Sequence, residues 1–240
     1  MWWRRRKEKR VEVRALHNYI VVDFVGAASE KGGVLLPDSV MDKPRWGVAT
    51  SVGKGVTDIT GGHVEPDTKQ GDLIYVLRHA PVNIDYDDIG IAGGCYLVSD
   101  LDVLCKQVRT DTTEIQPYGS WIEIVRMGKL QKKTGGGVLL PNAVEGPSAF
   151  GVVKTLGTGL RTPWNQVIGF QVEVGDLVMY NKYVPFEVDF SDLGAPVKTY
   201  LLPHGDVFTV VEPGGELMDD IITSPDVPAE AKYLLERKGL

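Results

Sequence analysis

The sequence predicts an all-β protein built from two tandem small antiparallel β-barrels with loops between their strands, followed by one short C-terminal helix. Three observations carry that prediction. The hexapeptide GGVLLP occurs twice, at Gly32 to Pro37 and at Gly136 to Pro141. Shifting the chain by 104 residues aligns much more than those six: Gly47-Val48 meets Gly151-Val152, Gly53 and Gly55 meet Gly157 and Gly159, Gly71-Asp72-Leu73 meets Gly175-Asp176-Leu177, and Asp102-Val103 meets Asp206-Val207. Finally, 28 Gly and 14 Pro in 240 residues break the apolar segments into pieces too short for long helices. A period near that of a whole small domain marks a duplicated domain, not a solenoid of short units.

Four segments follow from the repeat: a basic arm over residues 1–13, a first domain over 14–110, a second over 111–213, and a tail with a short helix over 214–240. The arm, MWWRRRKEKR, carries six basic residues and one acid in a chain whose net charge is −6. Its Trp2, Trp3 and Arg4 to Arg6 suit either a grip on a shell or packaged nucleic acid, or a solvated terminus. No apolar run for a secretory signal follows, because VEVRALHNYIVVDF is interrupted by Glu12, Arg14, His17 and Asn18. Nor is any stretch long enough to span a bilayer, so the chain reads as soluble, not exported and without a membrane partner. The acidic balance argues against a nucleic-acid binder as a whole.

Within the copies, upstream of the hexapeptide the better shift is 102, pairing Ile20 and Val22 with Ile122 and Ile124. The difference of two falls in GAASEK against GKLQKKT, where a loop tolerates length change. In the second copy WIEIV alternates as a half-buried strand does, and FGVVKTLG, DLVMYNKY, FEVDF and DVFTVVE supply further strands. Closure into a barrel would remove their edges. The Gly-Asp before DLIYV and DLVMY is a tight-turn signal. The tail helix starts near Pro228 and stops at Gly239.

Chemistry is sparse. Cys95 and Cys105 lie one per strand and read as buried thiols, and His17, His63, His79 and His204 have no metal-ligand spacing. GKGVTDITGG lacks the Lys-Ser/Thr of a phosphate loop, and DYDDIG (Asp85, Asp87, Asp88) lacks the offsets of a calcium loop and reads as a hairpin tip. No dinucleotide-binding βαβ unit follows either copy. No catalytic residue, cofactor or metal site is predicted, and the chain reads as a non-enzyme whose function lies in binding.

With the strand order in place, the sequence resembles the chaperonin-10 (GroES) family twice over. The second copy supplies IQPYGSWIEI, GGGVLLP, FGVVKTLGTG, VEVGDLVMYNKY and KTYLLPHGDVFTVVE; the first supplies ALHNYIVV, KGGVLLPDS, WGVATSVGKG, KQGDLIYV and CYLVSDLDVLC. The resemblance covers residues from about 14 to 212. It implies two GroES-like barrels whose mobile loops dock an aliphatic tripeptide into a chaperonin-60 (GroEL-like) ring that has bound ATP. Carried over by position, the tripeptides are Val34, Leu35, Leu36 and Val138, Leu139, Leu140, with loop hinges at Gly32, Gly33, Gly136 and Gly137. Burying three such side chains yields roughly 5 to 8 kcal/mol, while ordering the loop costs roughly 1 to 2 kcal/mol per residue. One loop should barely bind, and several held on a self-associated ring should bind well. The same hexapeptide would also suit a buried strand flanked by a bulge.

Three features depart from the family. Two-domain chains cannot supply seven domains to a seven-fold partner; plant chloroplasts have tandem co-chaperonins facing this problem, but no transit peptide rich in Ser and Arg is evident here. The segments after the Val-Gly-x-Gly motifs differ, VTDITGGHVEPDTKQ being polar and LRTPWNQVIGFQVEV carrying Trp164 and Phe170, which suit an interface or local packing. The arm and the tail are extra. Bacteriophages encode divergent co-chaperonins, so the alternative to a cytoplasmic co-chaperonin assisting protein folding is a structural virion protein, a capsid decoration or cement, contacting other virion proteins.

Overall fold

The computed structural model describes residues 12–25, 30–31, 34–35, 45–57, 59, 61–77, 81–86, 94–110, 112–128, 148–162, 166–212 and 214–239. They form two compact units, Met1–Val103 and Leu104–Leu240.

The first unit contains β1 (Tyr19–Phe24), β2 (Glu30–Lys31), β3 (Val34–Leu35), β4 (Arg45–Val52), β5 (Val56–Thr57), β6 (His63–Val64), β7 (Leu73–Val76), β8 (Val82–Asp85) and β9 (Gly94–Ser99). Its main sheet runs β7-β4-β1-β9-β8, antiparallel throughout. The pairs β2–β3 and β5–β6 are separate two-stranded ribbons.

The second unit takes in β10 (Val103–Gln107), which starts at the boundary residue, and β11 (Ile115–Pro117). Next come β12 (Trp121–Arg126), β13 (Phe150–Leu156), β14 (Leu160–Arg161), β15 (Val167–Ile168), β16 (Leu177–Tyr180), β17 (Phe186–Asp189), β18 (Lys198–Pro203) and β19 (Val207–Val211). Two helices end the chain, α1 (Gly215–Thr223) and α2 (Ala229–Lys238). The main sheet runs β17-β18-β12-β13-β16-β19, so five strands repeat the order seen in the first unit.

The duplication holds down to register. Ile20 lies opposite Val52 and Val98, and its counterpart Ile122 lies opposite Leu156 and Leu202. A β-bulge falls between Val21 and Val22 in one copy and between Glu123 and Ile124 in the other. The Gly-Asp turns also match: Asp72 accepts from the Lys69 N–H at 2.9 Å and Asp176 from the Glu173 N–H at 2.7 Å, closing the same tight turn. All-β architecture therefore stands as expected, but the ladders close no barrel among the described residues. The strands that could help closure, β5–β6 and β14–β15, sit in their own ribbons, and no ladder joins β17 to β19.

Two expectations need correction. The alternation of WIEIV puts Glu123 on a wet face, whereas Glu123 is 1% exposed. Its strand lies between β13 and β18, and both faces are covered: Ile122 and Ile124 enter a core with Val153, Val178, Tyr180 and Leu202, while Glu123 faces Thr155 and Thr199. The tail, in turn, holds two helices instead of one, and both are built into the second unit. Met218 and Ile221 of α1 and Ala231, Leu234 and Leu235 of α2 recur at helical spacing and bury against Met127, Val152 and Leu177. Helix α2 runs from N-cap Pro228 to a left-handed Gly239, with Glu230 in its first turn and Arg237 and Lys238 in its last, matching the expected bounds and the helix dipole.

Candidate partner-binding loops

Each hexapeptide lies in a segment joining two neighbouring antiparallel strands, β1 to β4 and β12 to β13. The ends of each segment are one hydrogen bond apart. The Val25 N–H donates to the Trp46 carbonyl at 2.9 Å, and the corresponding Met127 N–H donates to the Phe150 carbonyl at 3.0 Å. The strands that flank each segment are interior strands of their sheets, so its two ends are fixed by the ladders on either side.

Val34 and Leu35 form β3, which pairs with β2 in the register Glu30 to Leu35 and Lys31 to Val34. They belong to this ribbon and to neither main sheet, which bears on the alternative of a core strand flanked by a bulge. Leu36, Val138, Leu139 and Leu140, and the hinges Gly32, Gly33, Gly136 and Gly137, lie outside the described residues. So do His79, Asp87, Asp88, Trp164 and residues 1–11 of the arm. Phe170 packs on the second core and meets the His204 ring edge-on at 5.2 Å.

The bases of the two loops differ in what anchors them. In the first copy the returning chain is held by Trp46, fully buried with its ring 5.0 Å from that of Tyr75. In the second, the corresponding Phe150 is 40% exposed, and it is the departing chain that is held, through Met127 under the helices. Sequence reasoning missed this hairpin of helices. The spacing of Met218, Ile221 and Ile222 was its signal, masked by the Pro-Gly-Gly that precedes it.

Charge also fixes α2. Glu123 accepts from the Thr155 and Thr199 hydroxyls and pairs with Lys154 at 3.0 Å, and Lys154 reaches Glu230 of α2 at 2.9 Å. Burial alone would lower the Lys154 ammonium, but the two carboxylates hold it above the usual lysine range. At the other end of α2, Lys238 pairs with Asp176 and with Glu173, and the Asp176 hydrogen bond raises it. Both cysteines are free and buried, and burial pushes the Cys105 thiol up. Among the described residues no three His, Cys, Asp or Glu converge as metal ligands, and no helix is long and apolar enough to cross a membrane.

Paired strand order, shared bulges and clamped loops recur in both halves, and the sequence of each half matches the family described as "Chaperonin 10 Kd subunit", over residues 12–106 and 114–211. The chain belongs to the chaperonin 10 family. The two chaperonin 10 matches end within β10 and at the last residue of β19, leaving α1 and α2 outside them. The chain is 25% identical over 178 residues to a 20 kDa chaperonin, chloroplastic, of Arabidopsis thaliana, covering 73% of this chain and 67% of that one. Against the spinach (Spinacia oleracea) protein of the same name it is 24% identical and spans 62% of the relative's length. A co-chaperonin GroES of Hydrogenovibrio crunogenus is 34% identical over 89 residues, 90% of its own length but 37% of this chain. Similarity thus runs across both chaperonin 10 copies in the plant relatives and across one in the bacterial one.

Proposed function

We propose that the protein is a co-chaperonin that caps the folding cavity of an ATP-bound chaperonin-60 ring through its two aliphatic loops, in the cytoplasm. The observation that carries this reading is the repeated base: two chaperonin 10 copies, each with a Val-Leu-Leu segment leaving a strand pair whose ends are one hydrogen bond apart. Two loops on one chain halve the number of chains needed for a multivalent cap.

Self-association belongs to the same reading, and β19 supports it. Strand β10 pairs with β11, Cys105 opposite Pro117 and Gln107 opposite Ile115, and Leu104 is fully buried. The corresponding strand β19 has β16 on one side and no ladder on the other among the described residues, and Phe208, the counterpart of Leu104, is 63% exposed. A bare strand edge with an apolar face invites a strand. The repeat names it: residues 13–15 of a second chain, with Ala15 opposite Thr209 and Val13 opposite Val211, in the register of β11 on β10. The contact is head-to-tail and so builds a ring if its rotation closes.

The test is co-sedimentation with a chaperonin-60 in the presence and absence of ATP, for wild type and a Leu36→Asp, Leu140→Asp double variant. Nucleotide-dependent binding that the double variant loses is the expected result. Failure of folded wild type to bind the chaperonin-60 of its own source would overturn the reading.

A further inference from the structure

The two segments start from matching residues, but among the described residues the second start alone lies under a cover of helices. Met127 follows β12 directly, is 6% exposed, and sits in one apolar cluster with Val227, Leu234 and Leu235. Gly128 comes next, and the backbone of Asp226, in the α1–α2 connection, packs on it so closely that a Cβ would overlap the Asp226 carbonyl oxygen. Only glycine fits a backbone-on-backbone contact of this kind. In the first copy the residues matching Met127, Val152 and Leu177 are Val25, Val48 and Leu73, all half-buried, and no helix covers them among the described residues.

From this we infer that the α1–α2 hairpin is a positioning device for the second loop, with Gly128 and Val227 its specificity-determining residues. The inference rests on the reading of the loops as partner-binding. The hairpin fixes the direction in which the chain leaves β12, so fewer residues remain to be ordered when the second tripeptide docks. The first loop has its fixed point on the returning strand, at Trp46. The two loops of one chain are therefore unequal anchors. The ion pairs of Lys154 with Glu230 and of Lys238 with Asp176 hold the two ends of α2 on the sheet and keep the cover in place.

Two measurements on the full-length chain decide it. Hydrogen exchange reads the exit itself: Gly128→Ala should speed exchange of the Met127 amide by about tenfold, while Val25, its counterpart, Ile124 within β12 and Val153 in the neighbouring β13 keep their rates. If Ile124 and Val153 also lose protection the domain has opened, and Val227→Ala, which spares the backbone contact and loosens its anchor, is read instead. Unchanged Met127 exchange overturns the inference. Binding to chaperonin-60 with ATP then separates the loops. In a Leu36→Asp background, where the second loop acts alone, Gly128→Ala should weaken binding on the order of tenfold, the equivalent of one more residue to order. In a Leu140→Asp background it should change nothing. Equal loss in both backgrounds overturns the positioning role, whereas absence of binding by wild type overturns the co-chaperonin reading and leaves the exchange result standing by itself.

Discussion

His17 and Gly119 occupy matching positions and share a left-handed backbone, φ 57° and 51°. Their carbonyls do the same work, accepting from the Gly55 N–H at 2.8 Å and the Gly159 N–H at 2.9 Å. A side chain at such a φ costs roughly 1 kcal/mol, offset in part by the extra freedom glycine has when unfolded. His17→Gly should therefore stabilise the first domain by about 0.5 kcal/mol, read as a higher denaturant midpoint for that domain with unchanged slope. A lower midpoint would mean that the His17 ring makes a contact worth more than the strain. Position 21 and its counterpart 123 show the opposite divergence. Val21 lies in an apolar cluster with Ala15 and Cys95, whereas Glu123 takes that place with two threonines and a lysine around it. Alternation within WIEIV describes one strand, and the burial of Glu123 depends on β13, β18 and Lys154, which lie distant in sequence.

Helix α2 lies outside both chaperonin 10 copies and packs on the sheet of the second. Its start and stop were legible because a proline before it and a glycine after it act locally. Its docking was not, because Met127, Val152 and Leu177 come from three separate strands. The lysines at its ends supply a pH test. Lys154 and Lys238 bind their protons more tightly in the folded than in the unfolded chain, so their stabilising effect is complete below the ordinary lysine value, about 10.4, and disappears as pH rises through the raised folded value. The second domain should lose stability above about pH 10.4, and a Lys154→Met, Lys238→Met variant should lose less over the same interval. Denaturant melts on both sides of that pH measure it, and equal losses in variant and wild type would remove the lysines from the account.

At the scale of the molecule, the repeat converts one observed strand pairing into an expected assembly. If β19 receives residues 13–15 of another chain, Phe208→Lys should shift sedimentation from a closed oligomer toward single chains without lowering the stability of the exposed strand that carries it. An oligomer that persists in this variant would move the contact elsewhere. The duplication, the strand order, the two hexapeptide positions and the limits of α2 are all written in the sequence, because glycine and proline turns, strand alternation and a fixed spacing act over a few residues at a time. Tertiary structure alone decided that Glu123 is buried, that the helices cover the exit of the second loop, and that β10 pairs with β11 where β19 has a ladder on one side only among the described residues. Each of these depends on which surfaces from distant segments face one another, and identical local patterns can meet different neighbours.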